Sequence, residues 1–225
     1  MATINGTNNG DSGNGTDLAD QIFEFAGNDT LIGFDGDDAL EGGKGADQLF
    51  GGSGFDTASY RGSNAGVVIN LPGFVFAGSD ATGDSLFGIE GVVGSAFADI
   101  LTGDDARNVL HGEGGTDILD GSGGNDTLSG DAGDDLLVGG AGNDELRGGT
   151  GADTAIHCSE SSVVVDLASG TAIGGEIGGR QEKGEPQATN CAQWRDRSAP
   201  SALAQPRIHN SRGDSSWIHP SISTP

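Results

Sequence analysis

An acidic residue recurs every nine positions along this chain, and a large aliphatic residue follows each one by two. In residues 1–59 the step is kept by Asp20, Asp29, Asp38, Asp47 and Asp56, followed by Ile22, Leu31, Leu40, Leu49 and Ala58. In residues 94–156 it is kept by Asp99, Asn108, Asp117, Asp126, Asp135, Asp144 and Asp153, followed by Leu101, Leu110, Leu119, Leu128, Leu137, Leu146 and Ala155. Asp11 fits one more, degenerate, unit at the start. Glycines keep the same frame. Gly33, Gly42, Gly51, Gly112, Gly121, Gly130, Gly139 and Gly148 open their units, and Gly36, Gly45, Gly54, Gly115, Gly124, Gly133, Gly142 and Gly151 hold the fourth position. The unit reads G-G-x-G-x-D-x-U-x, with U aliphatic. An acidic disordered chain or a flexible linker would scatter its acids and aliphatics; a register held this long requires a repeating structure.

The parts of the unit dictate its geometry. The triplet x-U-x is a minimal strand, with its middle side chain inward and both neighbours outward. The six residues before it turn the chain, using glycine where the backbone needs positive φ or close approach. Nine residues then make half a coil and eighteen a full one, so the chain is expected to be all-β, a solenoid of nine-residue half-coils. Residues eighteen apart stack about 4.8 Å apart on one edge. Two unit charges at that spacing, with an effective dielectric of about 20, repel by roughly 3 kcal/mol. A coil that stacks carboxylates must neutralise them.

Composition narrows the partners. The 43 glycines and 5% aromatic content leave little for a conventional core and make ordering costly. Residues 1–179 carry 30 acidic and 4 basic side chains, which would repel phosphates and excludes a nucleic-acid surface on the main body. Apolar runs such as "GVVINL" are too short to span a bilayer. The first residues have neither the basic start nor the apolar stretch of a cleavable secretory signal. Cys158 and Cys191 form no disulfide framework or zinc spacing.

The donors on offer are carboxylates and turn carbonyls, hard oxygens that suit calcium. Zinc or copper would want histidine or thiolate, and His111, His157, His209 and His219 show no ligand spacing. Magnesium is the nearer rival, but it demands a tight octahedron and releases water reluctantly. In "GGKGADQLF", "GGSGFDTAS" and "GGAGNDELR" the chain resembles the repeats-in-toxin (RTX, hemolysin-type) calcium-binding family. The resemblance implies a right-handed parallel β-roll with several calcium ions held between successive turns on each edge. The aspartates from Asp20 to Asp153, Asn108 and the glycines named above would be the metal-binding residues. It also implies a secreted or cell-surface protein, exported by type I secretion machinery through an uncleaved carboxyl-terminal signal.

The pattern has departures. Phe34, Asp104, Glu113, Ser122 and Asp131 replace the second glycine, Phe97 and Ala106 the fourth-position glycine, and Asn108 the acid. Sites near residues 97–108 are expected to be weaker. Above the short repeat lies a longer one, since "GGSGFDTASYRGSNAGVVINL" at 51–71 matches "GGTGADTAIHCSESSVVVDL" at 148–167. The organisation expected is therefore a first roll block at 1–59, a β-rich spacer at 60–93, a second block at 94–156, the start of a second spacer at 157–179, and an out-of-pattern, disordered tail at 180–225. Along a column, an interior acid such as Asp135 is expected to face one ion with each carboxylate oxygen, whereas Asp153 at the column's end would serve one.

An enzyme would need a singled-out site, and every acid here is repeated. Ser159 and Ser161 near His157 form no G-x-S-x-G elbow, and His157 and Cys158 read as exposed and unpaired. The chain is expected to have no catalytic residues and to serve as a calcium-folded module. The alternatives are a calcium-stiffened extender that contacts an extracellular glycan or protein, or the fragment of a secreted enzyme whose catalytic domain is absent.

Overall fold

The chain folds as an all-β parallel solenoid. The structure, a computed structural model, describes residues 1–71, 77–157, 163–167 and 192–195. Most strands are the expected triplets: Gln21–Phe23, Ala39–Glu41 and Val109–His111 each bury the middle residue and leave its neighbours half-buried. Alternate triplets lie on opposite faces, and parallel pairing joins residues eighteen apart. On one face Ile22 pairs with Leu40 and Leu110 with Leu128; on the other Leu31 pairs with Leu49 and Leu119 with Leu137. The core is the aliphatic ladder between the faces, and Leu40, Leu101, Leu110, Leu119, Leu128 and Leu137 are fully buried. Each contributes roughly 1.5–3 kcal/mol, a thin return for so much ordered glycine. Helical structure among the described residues is confined to a 3₁₀ turn at Ser79–Ala81. No described helix is long and apolar enough to cross a membrane.

One face is a continuous nine-stranded sheet; the other is split into sheets of four and six strands. The split lies in the expected spacer, whose strands are woven into both faces. Gly91–Val93 pairs with Thr57–Ser59 on one side and Val109–His111 on the other, carrying the continuous sheet through. On the split face Ser85–Phe87 ends the four-stranded sheet against Gln48–Ser53, with the Phe87 ring stacked on Phe50 at 4.8 Å. Val68–Asn70, earlier in sequence, instead starts the six-stranded sheet against Ile100–Thr102. The chain thus runs ahead to lay one strand and returns to lay the two before it.

Beyond the second block, Val163–Asp166 extends the continuous face in parallel. Ala192–Arg195, within the expected tail, pairs antiparallel with Thr154–His157 and covers the open edge of the six-stranded sheet. The other residues of 180–225, the start of the second spacer apart from 157 and 163–167, and both cysteines lie outside the described residues.

Candidate metal centre

Each turn ends in an acid that the following strand pulls inward. The inward aliphatic residue two positions later fixes the chain direction, and the acid beside it is buried too: Asp47, Asp56 and Asp117 are fully inaccessible. One oxygen of each carboxylate is used within the protein. Asp38 Oδ1 accepts from the backbone N–H of Asp20 (2.7 Å), Asp47 Oδ1 from Asp29, Asp56 Oδ1 from Asp38, Asp117 Oδ1 from Asp99 and Asp126 Oδ1 from Asn108 (each 2.8 Å). Asp135, Asp144 and Asp153 do the same for Asp117, Asp126 and Asp135. The expected columns therefore exist as hydrogen-bonded ladders, one per edge.

The second oxygen is the unusual one. Oδ2 of Asp29, Asp38, Asp47, Asp56, Asp117, Asp126 and Asp135 is buried without a hydrogen-bond partner. Leaving a buried carboxylate oxygen unsatisfied is costly, and here the cost recurs at each of these seven acids. Glycine provides the space around these oxygens. A Cβ on Gly33, Gly42, Gly51, Gly112, Gly121, Gly130, Gly139 or Gly148 would fall 2.2–2.6 Å from the Oδ2 of its own turn. The next coil's first glycine turns its carbonyl to the same space: a Cβ on Gly130 would lie 2.2 Å from Asp135 Oδ2 and 2.7 Å from the Gly148 carbonyl oxygen. The fourth-position glycines bring the coils this close. Gly133 (φ 142°) could not carry a side chain, since its Cβ would stand 1.4 Å from the Gly115 carbonyl oxygen. The result is a stack of cradles with hard oxygen donors and uncompensated negative charge.

Comparison with known families decides what such a stack is. The profile of the RTX calcium-binding nonapeptide repeat (four copies) matches residues 25–58, 93–128 and 120–155. These are RTX calcium-binding repeats. No curated protein matches the chain.

The backbone of the second position sorts the RTX turns into two kinds. Where that residue is left-handed, as at Phe34 (φ 78°), Gly43, Gly52, Glu113 (φ 70°), Ser122 (φ 66°) and Asp131 (φ 67°), the carboxylate of the turn keeps its orphan Oδ2. Where it has an ordinary φ, its N–H folds back onto the acid and closes the turn. Thr7 donates to Asp11 Oδ2 (2.8 Å), Thr16 to Asp20 Oδ2 (2.6 Å), Ser95 to Asp99 Oδ2 (2.7 Å) and Asp104 to Asn108 Oδ1 (2.8 Å). The departures around residues 97–108 thus sit beside closed turns. Asn108 goes further and donates its amide to the Glu90 carbonyl at 3.2 Å. Asp29 keeps an orphan oxygen although Phe25 has an ordinary φ; its turn carries Glu24 in place of the first glycine.

Two expectations about side chains change. Oδ1 of an interior acid accepts from the N–H of the acid one coil before, so the two oxygens of Asp135 are not equivalent: Oδ1 has a protein partner and Oδ2 has none. The cause is that the stacked N–H points along the column and needs an acceptor. His157, expected to be exposed and unpaired, is 4% exposed, with Nδ1 3.2 Å from Asp144 Oδ2. It stands in the first-glycine slot after Ala155, so its ring enters the space that a glycine would leave beside Asp144.

Three acids of the RTX columns escape the nine-residue step. Asp84 Oδ1 accepts from Asp47 N–H (2.8 Å), while its Oδ2 accepts from the buried Tyr60 hydroxyl (3.0 Å). Glu90 Oε2 accepts from Asp56 N–H (2.9 Å). Both extend a column of the first block into the spacer, at separations of 37 and 34 residues. The triplet Asp84-Ser85-Leu86 carries the D-x-U signal that could have found the first. Glu24, the third, is buried near Asp29 and signalled only by its departure from glycine.

Burial, with neighbouring carboxylates adding to it, pushes Asp47, Asp56 and Asp135 up to about 6 and Asp84, Asp117 and Asp126 to about 7. Asp20, whose turn is closed, is held low by the Ala2 N–H and by Thr16. Carboxylates that resist ionising without a counter-charge fit a site built for a cation.

Proposed function

We propose that the chain is a calcium-folded module of a secreted or cell-surface protein, with no catalysis of its own. Asp38, Asp47, Asp56, Asp117, Asp126 and Asp135 would hold calcium through Oδ2, joined by carbonyls of the glycine turns and by Asp29, Asp144 and Asp153 at the less regular turns. The single observation carrying this reading is the row of buried, unpartnered Oδ2 atoms, each facing a cradle that glycine keeps open. Calcium fits better than magnesium because a cage of carboxylate and carbonyl oxygens suits the larger ion, whereas magnesium demands a tight octahedron and gives up its water reluctantly.

The biological consequence follows from linkage. Binding free energy that depends on a folded site is folding free energy. At low cytosolic calcium the repelling carboxylates keep the roll open, in a form that type I secretion machinery could thread. At the millimolar calcium outside a cell the roll closes. Calorimetric titration tests the reading directly. Calcium uptake should include several ions and exceed magnesium uptake at equal concentration, and Asp117→Asn with Asp126→Asn should lower the ion count. Equal uptake of the two metals, or an unchanged count in the double variant, would refute it.

A further inference from the structure

One turn of the first block has a donor set unlike the others. Glu24 stands in the first position of the unit that contains Asp29, where the three following units have Gly33, Gly42 and Gly51. Its carboxylate does not point to solvent. Glu24 is 3% exposed, and its Oε2 has no hydrogen-bond partner. Two glycines of the preceding residues make the room. A Cβ on Gly6 would fall 1.1 Å from Oε2, and one on Gly13 would fall 2.8 Å from Oε1 and 2.6 Å from Ile22 Cγ2. Gly13 occupies the slot two residues after Asp11, where most other units place leucine. The aliphatic ladder is thus interrupted at Gly13, and the buried Glu24 carboxylate takes the space.

The Glu24 carboxylate meets two more. Asp29, 1% exposed, has an unpartnered Oδ2, and Asp11 lies alongside. One oxygen from each of Asp11, Glu24 and Asp29 lies within 4.8 Å of the other two. Both aspartates are fixed in orientation: Asp11 Oδ2 accepts from the Thr7 N–H (2.8 Å) and hydroxyl (2.6 Å), and Asp29 Oδ1 accepts from the Asp11 N–H (2.6 Å). Ligands at 2.3–2.6 Å from one calcium ion stand no more than about 5 Å apart, so three such oxygens can share it.

We propose that Asp11, Glu24 and Asp29 form a three-carboxylate calcium site at the amino-terminal end of the roll, in which Glu24 supplies a ligand no other turn has. The inference rests on the calcium reading of the roll and adds to it a side-chain site where the glycine-turn pattern breaks down. Its rival is simpler: a neutral Glu24 acid that only fills the space left by Gly13.

Glutamine separates the two, because it has the shape of the neutral acid and cannot carry the charge. The full chain is saturated with calcium and its ions counted by native mass spectrometry, for wild type, Glu24→Gln and Glu24→Ala, with circular dichroism to confirm that each is folded. Glu24→Gln should bind one ion fewer than wild type. Glu24→Ala, which does not depend on how an amide packs, should show the same loss. Wild-type ion counts in both variants would overturn the Glu24 site and leave the roll sites standing. A wild-type chain that takes up no calcium would overturn both readings.

Discussion

The backbone N–H of Asp117 donates to Oδ1 of Asp135 at 2.9 Å, across one full coil. This bond turns the Asp135 carboxylate so that Oδ2 faces the Gly130 cradle with no partner. The acid therefore has a structural oxygen and a free one. Asp135→Ala removes both, so it should release one calcium ion and also leave the Asp117 N–H unsatisfied, at about 1–3 kcal/mol. Asp153→Ala should likewise release one ion. Native mass spectrometry compares the two; a loss of two ions from Asp135→Ala alone would show that Oδ1 also binds metal.

The closed turns yield a gain-of-site prediction. Ser95 N–H occupies Asp99 Oδ2, the oxygen that stays free in turns whose second residue is left-handed. Ser95→Gly removes the bias against positive φ and should let the turn open. The ion count at saturating calcium should rise by one. An unchanged count would mean that the second position does not control whether a turn accepts metal.

Much of this was legible because the signal was periodic. The inward leucines, the pairing of residues eighteen apart and the two acid columns follow from a nine-residue step and the two-sided nature of a strand. What could not be read lies where the step fails. Asp84 carries the D-x-U signal but falls out of step, and it and Glu90 join the columns because the spacer lays Val68–Asn70 ahead of Ser85–Phe87, a crossing that sequence order does not reveal. His157 and Glu24 both replace a first glycine, and only the folded coil shows that the vacated space accepts a buried ring or carboxylate. The two roles of Oδ1 and Oδ2 depend on where a stacked N–H points, which no spacing encodes.

Backbone strain should be separable from packing at two phenylalanines. Phe34 and Phe25 both occupy the second position and are 44% and 53% exposed, but only Phe34 is left-handed. A side chain there costs roughly 1–2 kcal/mol, partly offset by glycine's larger entropy loss on folding. In calcium, Phe34→Gly should therefore raise stability by up to about 1 kcal/mol, whereas Phe25→Gly should lower it by roughly 0.5–1 kcal/mol. Chemical denaturation of both variants checks this; changes of the same sign would contradict the strain assignment.

The raised carboxylates give the calcium-free chain a distinctive pH response. For Asp47, Asp56 and Asp135 (about 6) and Asp84, Asp117 and Asp126 (about 7), the folded form binds protons more tightly than the unfolded one. Their contribution to stability is then fully present below the unfolded value of about 4 and is lost as pH rises through 6 to 7. Without calcium, β structure should increase on acidification from pH 8 toward 5. Calcium added at pH 6.5 should displace these protons, which a pH-stat would record. Loss of β structure across the same acidification, or calcium binding with no proton release, would contradict the assignment.

The central claim is that calcium supplies the free energy that the thin leucine ladder lacks, and far-ultraviolet circular dichroism of the full chain at pH 7.5 or above tests it most directly. Without divalent ions the spectrum should be coil-like, because the stacked carboxylates of a chain with formal net charge −24 are uncompensated. Calcium should convert it cooperatively to β, within the roughly 0.1–1 mM range typical of extracellular sites, and magnesium at the same concentration should have far less effect. A spectrum that stays unchanged through about 10 mM calcium, beyond the weakest such sites, would contradict the account.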